Sequence, residues 1–524
     1  MRCRKNFGLC FSVKDLKNTK LDSMKRIGWL SLLKMLLLTI IICFCILRFI
    51  HLAADVPVET TWSSEIYGDE GLYTRNATAK LITNKWLLPF ESNPIVVMPI
   101  FQFIEYIFLK SMGINLISAR LPGVLFFMIT LIFLYLIFRR FINGVLSLGV
   151  LALISCNYLL FIYSRLALNE NLMLLLSVAA IYVGTVYNKH FIHAVITPVV
   201  VFLAVLCKIS GLSVWLPVLF LVLYENDGFN ITSVKLRSVA LSLLIFVALC
   251  FSYMAFAIKP YHDYGGYYLA IVPIFPESMH GISSVIYAVY KIFRNGYLIS
   301  HGIYSIGYVV GIISMIAIVF IKGLKHKRLL GAFALWIVIY VFAGGIGGGY
   351  NPPRYYVLTV IPLISIMGFF IVYLWSLRSK YAQVLKVASV VIVLGYVSIN
   401  AGRIIASLVR PEWSFKTMAN DISNTVKLKQ RPWVILTDIV DTYSLASGML
   451  VLNLETGPED KKLKFDRYQP HFLITLGPVS DNPRNFQDIK QYGSIELVKI
   501  YDVFENYHNG KPVHFYQITP HNID

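Results

Sequence analysis

Leu121–Phe138 reads LPGVLFFMITLIFLYLIF and stops at Arg139-Arg140. The run carries no charge and meets the ~18–20 residues that a helix needs to cross a hydrocarbon core. Only a helix or a closed barrel can lie there, because the backbone must satisfy its own hydrogen bonds away from water. The basic pair that ends the run is of the kind retained on the cytoplasmic side. Working outward, similar runs alternate with short polar stretches from Leu30 to about Ile399. The chain is 57% hydrophobic and 14% charged, where a soluble domain carries roughly 25% charged residues spread evenly. The sequence is therefore that of a polytopic α-helical membrane protein.

Basic residues fix the expected sidedness. Spans at 30–50, 121–138, 144–162, 171–187, 191–207, 209–224, 238–257, 300–321, 329–346, 355–376 and 384–402 give about 11 transmembrane helices. With the N-terminus inside, Arg139-Arg140, Lys189-His190, Lys235 with Arg237, the run Lys322–Arg328, and Arg378, Lys380 and Lys386 all fall on the cytoplasmic side. Pro94–Leu109 is apolar too, but a crossing there would put Arg139-Arg140 outside, so it reads as a juxtamembrane or re-entrant helix. The expected organisation is a cytoplasmic tail over 1–29, a transmembrane domain over 30–402 with a first external loop at 51–120, and a soluble domain over 403–524. Met1–Lys34 is long and basic, and no small-residue cleavage site follows, which makes the first span an anchor rather than a signal peptide.

In the last segment, strand-length apolar runs at 433–437, 472–476, 496–500 and 513–518 are separated by turn and helical stretches. They predict a small α/β domain, which the odd span count places outside the membrane. The net charge of +19 follows from the loop clusters, so nucleic acid is not an expected partner. Seven cysteines are present, none after Cys250 and none with zinc-ligand spacing.

Candidate chemistry gathers on the extracytoplasmic side. The first external loop holds Glu65-Ile-Tyr-Gly-Asp69-Glu70-Gly-Leu-Tyr73, where adjacent carboxylates suit proton abstraction and attraction of a cation, or simply a solvated loop face. Arg120, Arg165 with Glu170, Lys208 and Arg354 border apolar helices. Such ionisable groups are costly in a membrane and tend to line a cavity or meet a ligand. Lys208 marks either a tight hairpin or an anion contact. Arg354 follows a glycine-rich loop (Gly344-Gly345, Gly347-Gly348-Gly349) and is either an interface anchor or a ligand group. Arginine and lysine converging from several segments would suit a phosphate.

These motifs resemble a known group. Gly68-Asp69-Glu70-Gly-Leu-Tyr73, Trp86-Leu-Leu-Pro89, Phe90-Glu91-Ser92-Asn93-Pro94-Ile95, Ala119-Arg120-Leu121-Pro122, Tyr163-Ser-Arg165-Leu-Ala-Leu-Asn-Glu170, Lys208-Ile-Ser-Gly211 and Pro353-Arg354-Tyr355-Tyr356 follow one another in the order seen in the GT-C glycosyltransferases. The resemblance is to the protein O-mannosyltransferase and lipid A aminoarabinose transferase group, over roughly residues 60–365. It implies a GT-C-like fold and an inverting transfer of a sugar from a polyprenyl-phosphate donor to an acceptor hydroxyl at the outer membrane face. Asp69 and Glu70 match the catalytic acidic residues, Asp69 as general base. Arg120, Lys208 and Arg354 would bind the donor phosphate, and Tyr73, Glu91, Arg165, Glu170 and Tyr355 would line the substrate site.

The aminoarabinose transferases read Glu-Lys-Pro-Pro-Leu where this chain reads Glu91-Ser92-Asn93-Pro94-Ile95. The chain also has no long insert between its middle spans of the eukaryotic mannosyltransferase kind. The expectation is thus a bacterial inner-membrane envelope enzyme of the broader group, acting on a lipid, glycan or protein acceptor. No cofactor is specified, a divalent metal ion being left open. A transporter or flippase of a lipid-linked sugar is the alternative function.

Overall fold

The computed structural model describes residues 13–57, 65–89, 91, 93–186, 190–225, 228–229, 231–261, 311–317, 326–346, 353–377, 381–427, 434–437, 442–453, 458–479, 489–502 and 512–520. Among these, six helices are long and apolar enough to cross a membrane: Trp29–Leu47, Leu116–Phe138, Asn169–Val186, Ser233–Tyr261, Val357–Ser376 and Ala382–Val426. The protein is an integral membrane protein.

Several expected spans take a different form. The 144–162 stretch is two helices, α5 (Gly144–Ser155) and α6 (Tyr158–Tyr163). Asn157 causes the break: its side chain accepts from Leu160 N–H and caps α6, supplying a partner for an amide at the new helix start. The next pair of expected spans is also short. α8 (His190–Val205) turns through a 3-10 segment, Ile209–Val214, into α9 (Trp215–Leu223). The turn is tight because Gly211 brings its backbone against Ala204, where a Cβ would lie 2.6 Å from the Ala204 carbonyl oxygen. Of the expected span at 300–321, only residues 311–317 are described, and these are helical.

α4 (Leu116–Phe138), α7 (Asn169–Val186) and α12 (Pro353–Ser376) form the centre of the bundle. α1 (Val13–Leu47), α10 (Ser233–Tyr253) and α13 (Ala382–Val409) lie at its edge. The buried share of the spanning window is 72% for α7 but 6% for the span containing α10. Leu244, Phe256, Val391 and Leu394 are accordingly exposed, which costs nothing where the solvent is hydrocarbon. Between centre and edge lies α11 (Lys327–Ile346), whose Trp336 and Phe333 are fully buried.

The segment read as a first external loop contains two helices. α2 (Glu65–Thr83) carries the acidic motif. α3 (Pro99–Met112) buries Phe101, Gln102, Glu105 and Leu109, one face at helical spacing, and is too short to span. A capping box at Asn115 and Ser118 then starts α4.

Toward the C-terminus, five strands form one mixed sheet in the order β4-β3-β5-β7-β6. They are β3 (Val434–Thr437), β4 (Leu450–Asn453), β5 (Phe472–Leu476), β6 (Gly493–Tyr501) and β7 (Val513–Pro520). The pair β1 (Tyr224–Glu225) and β2 (Gly228–Phe229) is a separate hairpin. β3 runs parallel to β4 and β5, whereas β7 is antiparallel to β5 and β6. Strand alternation sorts the side chains. One face, with Ile435, Phe472, Ile474 and Phe515, packs on Phe415, Met418, Ala419, Ile422 and Val426 of α14 (Ser414–Lys427). The other, with Leu436, Leu452, Leu473 and Ile518, packs on Phe465 of α16 (Pro458–Tyr468) and reaches Ala79 and Leu88. The sheet therefore sits directly on α2.

Candidate active site

α2 places two adjacent carboxylates in different surroundings. Successive helical residues point about 100° apart, so Glu70 is turned into the protein while Asp69 stays half-buried at its side. Arg120, near the start of α4, donates to both Glu70 oxygens, from Nε to Oε1 at 2.8 Å and from Nη2 to Oε2 at 2.6 Å. Its Nη1 donates to the Leu52 and Ala54 carbonyls. Glu70 Oε1 also accepts from Ala167 N–H at 2.8 Å. One ion pair thus joins α2, the chain after α1, α4 and the turn before α7.

That turn brings in the next residues. Arg165 donates through Nη2 to the Ile50 and His51 carbonyls. Burial lowers its pKa to about 9, with Arg120 and Arg48 adding repulsion. It therefore stays cationic at neutral pH. Asn169 donates to the Cys207 carbonyl at 2.7 Å, and Lys208 Nζ meets Glu170 Oε1 at 2.6 Å. Gly123 lets α4 approach the same turn: a Cβ there would stand 2.7 Å from the Leu166 oxygen. Lys208 sits at the tight turn into the 3-10 segment, and its ammonium is paired with the protein's own Glu170 carboxylate.

The segment after α2 is folded back by two asparagines. Asn76 donates to Trp86 O and Asn93 Oδ1 and accepts from Ile95 N–H. Asn93 Oδ1 also accepts from Leu88 N–H. Asn76, which with Ala77 and Thr78 matches a glycosylation sequon, is fully buried by these bonds and offers no accessible acceptor. The fold-back buries Glu91 between Arg75 Nη1 at 2.7 Å and Lys464 Nζ at 2.6 Å.

The structure thus brings together Asp69, Glu70, Arg120, Arg165, Glu170 and Lys208 at one end of the bundle, with Tyr73 buried on α2 and Glu91 beyond it. A small open pocket of about 20 Å³ beside Arg120 is lined by Leu52, Asp55, Arg120, Arg165, Leu166 and Ser407. Arg354 and Tyr355 lie in the first turn of α12, and their side chains are outside the described residues. Sequence reasoning missed Arg75, Lys464 and Arg48. The last donates to Ser164 Oγ, Phe44 O and Ser155 O and lies 4.1 Å above the Phe127 ring. The reasoning that singled out Arg120, a charge bordering an apolar run, applies equally to Arg48.

No group of three or more His, Cys, Asp or Glu side chains among the described residues is arranged to hold a metal ion. Both Glu70 oxygens are already occupied by Arg120 and Ala167. Glu70 is therefore not free to ligate a metal ion.

Fold and site together define a polytopic membrane protein that buries a carboxylate–guanidinium pair at one end of its helical bundle. No protein-family model matches the chain, and no curated protein sequence does. Solved structures do. ArnT from Cupriavidus metallidurans bound to undecaprenyl phosphate superposes with a TM-score of 0.60 at 13% identity, covering 93% of this chain and 98% of that one. The same protein in the apo state gives 0.57, also at 13% identity, over 94% and 98%. The Archaeoglobus fulgidus oligosaccharyltransferase in complex with Zn and sulfate gives 0.48 at 10% identity, over 88% and 72%. The chain shares its fold with ArnT over nearly its whole length.

Proposed function

We propose that the protein is an inverting glycosyltransferase that moves a sugar from a polyprenyl-phosphate donor to an acceptor hydroxyl on the extracytoplasmic side, with Asp69 as general base. The observation that carries this reading is the division of labour between neighbours. Glu70 is held at both oxygens by Arg120 and cannot take a proton without breaking a buried ion pair, whereas Asp69 is half-buried beside it.

Asp69 removes the acceptor hydroxyl proton as that oxygen attacks the anomeric carbon. The bond from that carbon to the phosphate oxygen breaks in the same step, and the polyprenyl phosphate leaves as an anion. Single displacement inverts the anomeric centre. Lys208, Arg120 and Arg354 offset the charge growing on the phosphate, as preorganised cations do in a low-dielectric site. Arg165, Tyr73, Glu91, Glu170 and Tyr355 shape the substrate site. The ArnT structure bound to undecaprenyl phosphate supports a lipid-phosphate donor. The distribution of basic loops supports an extracytoplasmic position for residues 403–524, sheet included.

Asp69→Asn tests the reading. A general base contributes roughly 10²–10⁴-fold, so the variant should lose transfer by that factor while keeping the wild-type melting temperature. Transfer is scored as the glycosylated envelope product, seen by mass spectrometry, that disappears on gene deletion and returns on complementation. Full complementation by Asp69→Asn would overturn the assignment.

A further inference from the structure

The sheet region meets α2 through more than apolar packing. Thr442 Oγ1 accepts from Gly71 N–H at 2.9 Å, a buried bond one residue beyond the Asp69-Glu70 pair. Leu445, on α15 (Tyr443–Ser447), packs with Ala77 of α2 and with Leu116 and Ala119 of α4. Lys464 of α16 places its ammonium on Glu91 in a pair whose side chains are 1% and 0% exposed. Tyr468 reaches the Pro89 carbonyl at 3.4 Å. One region thus holds the first turns of α2 at one point and the Glu91 segment at another.

Glu91 is bridged between two elements. Arg75, from α2 itself, holds one carboxylate oxygen at 2.7 Å, and Lys464, from α16, holds the other at 2.6 Å, which fixes the carboxylate plane between them.

We propose that the C-terminal sheet region is a wall of the active site rather than an appended module, and that Lys464 is a positioning residue acting through Glu91 while Thr442 sets the start of α2. The effect on transfer rests on the glycosyltransferase reading above, but the clamping of α2 does not.

The test uses the full chain in detergent and in cells. Lys464→Met, Lys464→Arg and Thr442→Ala are compared with wild type by amide hydrogen exchange over residues 65–93, by melting temperature and by complementation. Lys464→Met should speed exchange in that segment at least tenfold and cut the glycosylated product at least tenfold, with the melting temperature within a few degrees of wild type. Lys464→Arg should restore both. Thr442→Ala should speed exchange in peptides containing Gly71 but leave those around Glu91 less affected. Unchanged exchange over 65–93 in both Lys464→Met and Thr442→Ala would overturn the clamp. Faster exchange with full product would overturn the positioning role. If deletion removes no glycosylated product, the transfer reading fails and the exchange measurement alone decides the clamp.

Discussion

Arg120 holds Glu70 with two parallel hydrogen bonds across fifty positions of chain, and neither side chain is more than 2% exposed. The geometry is bidentate, which a guanidinium achieves and an ammonium does not. The same Arg120 ties the Leu52 and Ala54 carbonyls, so its loss frees three segments at once. Arg120→Ala should destabilise the protein by about 3–5 kcal/mol, because a buried carboxylate is left without its cation. Arg120→Lys should recover only part, since Lys supplies a point charge in place of the fork. Melting curves in detergent check both. An Arg120→Ala variant that melts like wild type would show that the pair contributes nothing to the fold.

Gly123 is the point where α4 closes on the turn before α7. A Cβ would lie 2.7 Å from Leu166 O and 2.9 Å from both Ser164 O and Asn171 Nδ2. Two of these neighbours are backbone, and Asn171 is fixed by bonds to the Tyr163 and Leu166 carbonyls, so none can give way cheaply. Gly123→Ala should cost about 1–3 kcal/mol through overpacking and should also reduce transfer, because Ala167 N–H in that turn holds Glu70. Gly149, where an added Cβ would meet nothing within 4 Å, is the control. Gly149→Ala should be neutral or slightly stabilising.

Glu105 of α3 is fully buried, and neither carboxylate oxygen has a hydrogen-bond partner among the described residues. Burial raises its pKa well above the usual carboxylate range, and the nearby Glu70 charge adds to the shift. The folded state therefore keeps a proton that the unfolded chain releases near pH ~4.3. Stability from this group is complete below that pH and declines as pH rises toward the folded pKa. Glu105→Gln, an uncharged isostere, should remove the decline. Melting temperatures taken from pH 5 to 9 should coincide at the acid end, with the variant higher at neutral and alkaline pH. Parallel curves would mean that Glu105 does not titrate between the two states.

Much of the fold was legible because hydrophobic runs report their environment directly. Leu121–Phe138 carries its span in its composition, and the C-terminal runs form β3, β5, β6 and β7. Run length alone, however, hides a break. Asn157 interrupts an otherwise apolar stretch with a single capping side chain, and a hydropathy window averages over it. β4, Leu450–Asn453, has only four residues, set between Gly448 and Gly457-Pro458, too short a run to stand out by alternation. At the site, Asp69, Glu70, Arg120, Arg165 and Lys208 stand out because each is charged beside apolar sequence. Lys464 does not. It sits in Pro458–Tyr468, PEDKKLKFDRY, where only the tertiary approach of Glu91 distinguishes it from its neighbours. Thr442 meets Gly71 over 371 positions of chain, a separation for which one sequence carries no local signal.

Lys208 tests whether a paired cation also serves the donor. Its backbone is extended at the mouth of the 3-10 turn, and its ammonium, 17% exposed, sits 2.6 Å from a Glu170 carboxylate that is 3% exposed. Lys208→Gln alone leaves that carboxylate without this cation and should lower the melting temperature. Adding Glu170→Gln removes the uncompensated charge, so the double variant should recover most of the loss, since neutral replacement of a buried pair is often tolerated. Undecaprenyl phosphate separates stability from binding. A ligand that prefers the folded state at 100 times its Kd stabilises by about 2.7 kcal/mol, and wild type should show the corresponding rise in melting temperature. The double variant should melt near wild type without ligand yet show a clearly smaller rise, because Gln offers the phosphate no charge and only Arg120 and Arg354 remain. Lys208→Arg should keep it. A full ligand-induced rise in the double variant would mean that Lys208 serves Glu170 alone and that the phosphate is held by other cations.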